Sequence, residues 1–201
     1  STFLAVNAFT SLPSNAALKK TALENTADIE ELVEAVIQGA ANSMGKAAGT
    51  GPVRWAWCEN SYFAHYNRIA KKICLEPKFI KKLSQSGKAP IALIVAHEYA
   101  HHVQNSSSKS TLGYVRNTKD LELQADCYAG IILASIDNIS FNPEEVNQII
   151  ETAIWSGDKD YDSAGHHGSA ENRALAVRSG LRYGASKGKI KDAYYNYCLG
   201  K

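Results

Sequence analysis

The sequence predicts a mainly α-helical fold with one small β-sheet, an α+β architecture. Apolar residues recur at helical spacing over long stretches, as in residues 14–42. A helix start is clearly marked where Asn142 precedes Pro143 and two glutamates, since this order supplies a cap, a first-turn proline and acids at the positive helix end. Residues 71–76 instead alternate apolar and other side chains, which is typical of a strand.

These signals place the elements in order along the chain. We expect helices at residues 14–42, 77–84, 90–105, 121–136, 143–155 and 169–183. Pro77 and Pro90 each stand in the first turn of a helix, where the missing N–H is not needed. The Trp-rich residues 53–58 predict a strand or a buried turn, and residues 71–76 predict an exposed edge strand.

Length and composition indicate one domain spanning residues 1–201, in which residues 1–50 hold the first helix and a Gly-rich loop. Lys and Arg number 22 against 20 Asp and Glu, a formal charge of +2, so no broad basic face for nucleic acid is expected. The longest apolar run, residues 89–96, is far shorter than the roughly 18 residues of a membrane span. The first residues lack the basic and then apolar pattern of a signal peptide.

The cysteines, Cys58, Cys74, Cys127 and Cys198, are scattered, and none belongs to a CxxC pair. An even number of scattered cysteines fits disulfides made in an oxidising compartment, so we expect a secreted or periplasmic protein. Several pairings are possible, and the sequence spacing selects none of them. Reduced, buried thiols are the alternative interpretation.

The segment HEYAH at residues 97–101 carries the strongest chemical signal. On a helix, residues four apart share one face, so the imidazoles of His97 and His101 can bind the same metal ion. Glu98 is offset by one residue and can take a proton from a metal-bound water without being a ligand itself. The apolar residues before the motif favour a buried helix, which a buried metal site requires.

A catalytic zinc needs a third protein ligand, and the best candidate is Glu122. The chain between His101 and Glu122 is long enough for an antiparallel helix to return beside the first. Asp126 is one turn further along that helix and can accept the second N–H of a zinc-binding imidazole. The alternative is a solvated acidic face, but the helix is otherwise apolar, and unpaired carboxylates would be costly there.

A second histidine cluster occurs at residues 166–169, in a Gly-rich segment. Given a zinc site, we predict that His167 donates a hydrogen bond to the oxyanion of a tetrahedral intermediate. Arg173 follows near a helix start and could order that loop or a carboxylate. For His65 and His102 we predict ordinary surface positions, because His65 has no partner in sequence and His102 points about 100° away from the zinc face.

The ordered segments HEYAHHVQ, ELQADCYAG, SGDKD and HHGSAENR resemble the putative neutral zinc metallopeptidases of bacteria. The resemblance covers residues 51–201 and implies a zincin-like domain with one zinc ion. It implies zinc ligands at His97, His101 and Glu122, with Glu98 as general base. The ExxxD pair is also similar to that of thermolysin-like zinc peptidases, where the glutamate completes the zinc site.

The family's HGS segment, which is followed by an arginine, matches His167, Gly168, Ser169 and Arg173. The resemblance also favours a disulfide between the two later cysteines, Cys127 and Cys198, and leaves one between the two earlier cysteines possible.

These observations predict a zinc-dependent peptidase that acts on a peptide or protein substrate. The expected edge strand could pair with an extended peptide through main-chain hydrogen bonds, and we assign its substrate contacts to Lys72, Ile73, Cys74 and Leu75. The first alternative is a binding or interaction protein on a peptidase scaffold, either inactive or with a structural metal that has a closed set of ligands. The second is a zinc hydrolase acting on a non-peptide amide. The sequence leaves the oligomeric state open.

Overall fold

A computed structural model describes residues 25–61, 63–106, 117–157, 167–186, 190 and 198. In chain order the elements are α1 (Thr26–Ala40), a π-helical turn (Ala41–Gly45), α2 (Lys46–Ala48), β1 (Arg54–Trp57), β2 (Ala64–Asn67), β3 (Lys72–Leu75), α3 (Pro77–Ser84), α4 (Lys88–Ser106), α5 (Thr118–Ser135), α6 (Pro143–Trp155) and α7 (Ala170–Ala185). The predicted α+β class is confirmed. Residues 14–24 of the first predicted helix lie outside the described residues.

Local capping chemistry sets the helix starts. The Asn142 side chain accepts a hydrogen bond from the Glu145 N–H at 3.0 Å, and the Glu145 carboxylate accepts one from the Asn142 N–H at 2.9 Å. This reciprocal pair satisfies two N–H groups that a helix start would otherwise leave without partners. Pro143 and Pro77 stand in the first turns of α6 and α3, as predicted. Both of these predicted helices have the bounds that the sequence indicated.

The prediction that residues 71–76 form an exposed edge strand is wrong, because β3 is the central strand of the sheet. The strand order is β1-β3-β2, with β3 parallel to β1 and antiparallel to β2. Its residues Lys72, Ile73, Cys74 and Leu75 are therefore hydrogen-bonded on both sides, and Ile73 and Leu75 are fully buried. A strand paired on both sides has no main-chain groups left for a substrate, so these four residues cannot hold an extended peptide. The strand β2 was not predicted from the sequence, and its pairing with β3 makes β3 the central strand.

Two disulfides link distant parts of the chain. Cys58 is bonded to Cys74, which joins the segment after β1 to the central strand. Cys127 is bonded to Cys198, which ties α5 to the end of the chain. The pairing that the family resemblance favoured is thus formed, together with the one it left possible.

The helix α4 lies at the centre of the molecule, with α1, α5, α6 and the sheet around it. It has buried residues on nearly every side, including Ile91, Val95, Tyr99 and Val103, all fully buried. Such a helix holds its side chains in fixed positions, because packing leaves little room for other rotamers. Among the described residues, no helix is both long and apolar enough to cross a bilayer.

The helices α5 and α7 pack with their backbones unusually close together. A Cβ atom at Gly180 would meet the Cys127 carbonyl group, and one at Gly130 would lie 2.8 Å from the Leu181 nitrogen. Glycine has no Cβ atom to fill the space between the two backbones, so the helices lie closer together than residues with side chains would allow. This contact places the first turns of α7 against the side of α5 that carries Glu122 and Asp126.

Candidate metal centre and cleft

Three predicted metal ligands meet between α4 and α5. The Nε2 atom of His97 lies 3.2 Å from Oε2 of Glu122, and Nε2 of His101 lies 3.3 Å from Oε1 of the same carboxylate. The two imidazoles lie on one face of α4, with their Nε2 atoms 3.1 Å apart. All three donor atoms lie within 4.8 Å of one another, so a single ion can contact them together.

The donor set fits zinc. Two imidazole nitrogens and one carboxylate oxygen are a ligand combination that catalytic zinc sites use, with the fourth position left for water. Among the described residues, His97, His101 and Glu122 form a group that could hold a metal ion, and no fourth His, Cys, Asp or Glu joins them. The arrangement therefore suits an open zinc site better than a closed structural one.

The electrostatics of this cluster favour a cation. Burial alone would lower the pKa of His97, but hydrogen bonds to Asp126 and Glu122 outweigh burial and raise that pKa from 6.5 to about 10. Burial would raise the pKa of Glu122, yet hydrogen bonds to His101 and His97 hold it well below its usual range. In the absence of a metal the site thus holds a proton between two carboxylates, and a divalent ion can take the place of that positive charge.

Asp126 and Arg173 orient the first imidazole. Asp126 Oδ1 accepts a hydrogen bond from Nδ1 of His97 at 2.9 Å, which leaves Nε2 free to face the ion. Arg173 donates to both oxygens of Asp126, through Nε at 2.7 Å and Nη2 at 2.9 Å. Burial would raise the pKa of Asp126, but these bonds to Arg173 and His97 hold it below its usual range. Because all three side chains are buried, this arrangement fixes the tautomer of His97.

Gln104 orients the second imidazole, that of His101, and it was not among the residues predicted from the sequence. Its side-chain oxygen accepts from Nδ1 of His101 at 2.8 Å. The orientation of its amide is determined because the NH₂ group donates to the Leu121 carbonyl and to Gln124, each at 2.9 Å. Its position three residues after His101 was the sequence feature that could have indicated this role, because residues three apart lie on the same side of a helix.

Glu98 and His167 also face the cleft beside the cluster. Glu98 follows His97 on α4, is only 7% exposed and lines the cleft. His167 lies just before Ser169, which caps α7, and its Nδ1 atom is 3.5 Å from Oε2 of Glu122. Its side chain is 53% exposed, so it stands at the rim, whereas Glu98 is at the floor. The neighbouring His166 lies outside the described residues.

The predicted surface position of His102 is wrong. His102 is buried, with Nε2 at 2.9 Å from the Thr50 hydroxyl and Nδ1 at 3.1 Å from the Tyr66 hydroxyl. Burial lowers its pKa. A rotation of 100° about α4 takes His102 away from the zinc face, but at this point it turns towards β2 rather than towards solvent. His65, on β2, is exposed.

The cleft that contains these groups has a volume of about 600 Å³. Polar residues of α4 and α5 line one part of it, and an aromatic group of Phe63, Phe79 and Trp155 lines another. Ala64 and Tyr66 of β2 lie along its side. Neither the aromatic group nor β2 was predicted from the sequence. The three aromatic residues belong to separate segments, so no local pattern joins them.

Comparison with known families gives a match to the model for "putative neutral zinc metallopeptidase" over residues 64–186, more than half of the chain. The chain belongs to this family. No curated protein and no solved structure matched.

The zinc metallopeptidase match begins at the first residue of β2 and ends just after α7. It therefore includes the three candidate metal ligands and the side chains that orient them, whereas α1 and β1 lie outside it. The family supports a zinc ion as cofactor and a peptide or protein as substrate, in agreement with the donor set of the cluster.

Proposed function

We propose that this protein is a zinc-dependent peptidase that hydrolyses peptide bonds, with Glu98 as the general base. The observation that carries the proposal is the convergence of His97, His101 and Glu122 on one point at the floor of an open cleft, beside the Glu98 carboxylate. Membership of the zinc metallopeptidase family supports the same conclusion. We further propose one zinc ion per chain.

His97, His101 and Glu122 would hold the zinc ion. His97 and Glu122 are buried, His101 is half-buried, and their polar contacts keep them in place before the ion arrives. When bound, zinc polarises the scissile carbonyl and lowers the pKa of a coordinated water to about 7. Asp126 and Gln104 keep the Nδ1 hydrogens of the two histidines engaged, so both Nε2 atoms stay available to the ion.

Glu98 accepts the proton of the attacking water at its carboxylate and afterwards delivers a proton to the leaving amine nitrogen. Its place on α4, directly after a zinc ligand, brings the carboxylate to the reaction without making it a ligand. We assign to His167 a hydrogen bond to the oxygen of the scissile carbonyl as negative charge develops there. Arg173, which holds Asp126, contributes by keeping His97 in position.

Among the described residues no strand pairs with the outer edge of β2, and this edge takes the substrate-binding role expected of β3. Phe63 accepts a hydrogen bond at its carbonyl from the Glu76 N–H at 3.1 Å, so its main-chain groups face the neighbouring strand. Main-chain groups alternate between the two sides of a strand, so those of Ala64 and Tyr66 point to the open side. Both residues line the cleft, where an extended peptide would pair with them.

Two disulfides support a secreted or periplasmic location, because such bonds persist in oxidising compartments. The alternative of a binding protein with a structural metal receives no support from the cluster, which offers three donors among the described residues.

The test compares the parent protein with Glu98→Gln and with Glu31→Gln, a matched control at an exposed position of α1. Zinc content is measured by mass spectrometry, and activity by digestion of a quenched fluorogenic peptide library. We expect one zinc per chain in all three proteins and a loss of about 10²–10⁴-fold in kcat/KM for Glu98→Gln alone. Equal cleavage by Glu98→Gln and the parent would refute the role of Glu98, and a zinc-loaded parent that cleaves no peptide would refute the peptidase proposal.

A further inference from the structure

An aromatic wall, formed by Phe63, Phe79 and Trp155, borders the proposed catalytic cleft. Phe79 and Trp155 stack with ring centroids 6.0 Å apart and planes at 20°. Phe63 meets both edge-on, at 5.3 Å from Phe79 and 6.4 Å from Trp155. Edge-to-face and stacked arrangements are both favoured by the quadrupoles of aromatic rings. Since each ring contacts the other two, the three form one continuous apolar surface.

Two of the three rings are exposed to solvent. Phe63 is 56% and Trp155 54% exposed, whereas Phe79 is 8% exposed and lies beneath them. Apolar surface left in water costs free energy that burial would recover, and a concave apolar surface beside a reactive site is where a ligand recovers it. The wall therefore has the character of a binding surface that becomes covered when substrate enters.

The wall is held in place before any substrate binds. The Glu76 N–H donates to the Phe63 carbonyl at 3.1 Å, and the Glu76 carboxylate accepts from the Phe79 N–H at 2.6 Å. One residue thus fixes the backbone of both phenylalanines. A preformed surface binds its ligand more tightly, because less conformational freedom is lost on binding.

The wall also connects directly to the metal centre. Trp155 is followed by Ser156, whose carbonyl accepts a hydrogen bond from Nη1 of Arg173 at 2.9 Å. The same guanidinium lies 3.8 Å from Glu122. Ile94, one turn before Glu98 on α4, lines the cleft as well. The wall and the metal cluster therefore line one cleft, so a peptide bound across the cluster would also contact the wall.

We propose that the aromatic wall is the principal specificity site, and that it selects peptides with an aromatic or large aliphatic side chain next to or near the scissile bond. This inference rests on the proposed peptidase function and names its substrate class. An aromatic side chain would complete the edge-to-face arrangement with Phe63 and Trp155. A small or acidic side chain would leave the exposed rings uncovered.

Peptide binding tests this without requiring turnover. The probes are peptides of one sequence that carry Phe, Leu, Ala or Asp at the variable position, and the protein is zinc-loaded Glu98→Gln. We expect the Phe peptide to bind at least about tenfold more tightly than the Ala peptide. Trp155→Ala, added to Glu98→Gln, should remove most of that preference, and Trp155→Phe should keep it. Ile154→Ala is the matched control, because Ile154 is the 43% exposed neighbour on α6 and is not part of the cleft lining.

Cleavage of the same peptides by proteins with Glu98 intact gives the second measurement, with kcat/KM for the Phe peptide falling about tenfold in Trp155→Ala. Unchanged side-chain preference in both Trp155→Ala and Phe63→Ala would overturn the inference while leaving the peptidase proposal intact. A loss of self-association in Trp155→Ala, with preference unchanged, would likewise overturn it and make the wall an interface between copies. A wall-dependent preference in binding, with no cleavage by the parent, would support the inference and refute the peptidase proposal.

Discussion

The metal cluster and the aromatic wall share one cleft but are built in opposite ways. The cluster buries charged groups, and each of them is paired: Asp126 binds both His97 and Arg173, and Glu122 faces both metal-binding imidazoles. The wall instead exposes the apolar rings of Phe63 and Trp155 to solvent. Buried paired charges keep a reactive centre in one geometry, whereas an exposed apolar surface gains free energy only when a ligand covers it.

A similar contrast separates two adjacent residues of α4. His101 faces Glu122, with its Nδ1 bonded to Gln104, while His102 is turned towards Thr50 and Tyr66. The first is placed to bind a metal, and the second joins α4 to β2 and to the segment before β1. The same residue type therefore serves the metal centre or the scaffold, depending on which side of the helix it occupies.

The largest effect on the cluster is expected from Glu122→Ala, which removes a proposed ligand. Because two imidazoles alone hold zinc weakly, we expect zinc affinity to fall by more than about 100-fold. Changes to residues that only orient the ligands typically cost about 10–100-fold, so this loss should be larger. Competition with a zinc chelator measures this. Phe63→Ala, in the wall, should leave zinc affinity at the parent value. A comparable loss in both variants would show that the two regions are not independent.

A smaller effect is expected from Asp126→Asn, which keeps every proposed ligand but removes the acceptor that orients His97. We expect zinc affinity to fall by about 10–100-fold, and the same chelator competition measures it. Asp120→Asn is a matched control on the same helix, at an exposed position two residues before Glu122. Parent-like zinc affinity in Asp126→Asn would mean that the hydrogen bond to His97 does not support the metal site.

The smallest effect concerns the metal-free protein and pH. The pKa of His97 is raised in the folded state to about 10, so its proton stabilises the fold fully below pH 6.5, and this contribution is lost as pH rises towards 10. We expect the free energy of unfolding to fall by up to about 1.4 kcal/mol per pH unit in that window. Urea unfolding measures it.

His97→Gln should lack most of this slope, and Phe63→Ala in the wall should retain it. A slope that is unchanged in His97→Gln would assign the pH dependence to another group. Zinc should also remove the slope, because the bound ion replaces the proton on His97.

Local signals in the sequence predicted local structure well. The bounds of α3 and α6 follow from a proline in the first turn and a capping residue before it, and these act within a few residues. The HEYAH spacing likewise places two imidazoles on one face of any helix, whatever surrounds it. Glu122 was predicted from its place on an otherwise apolar helix, where an unpaired carboxylate is costly, and the resemblance to the peptidase family implied the same ligand.

Contacts between distant segments were not predictable in the same way. The strand pattern of residues 71–76 is compatible with an edge or a central position, and only the presence of β2 decides between them. The burial of His102 depends on Tyr66 and Thr50, which belong to other elements. The aromatic wall depends on three segments that meet only after folding.

The sequence by itself determined which groups are available for chemistry: two histidines four residues apart, a glutamate between them, a later acidic pair and four cysteines. Only the tertiary structure decided which of these groups meet, that β3 is the central strand of the sheet and which aromatic rings remain exposed. The physical reason is that spacing along a helix is set by backbone geometry, whereas the approach of separate helices and strands is set by packing across the whole core.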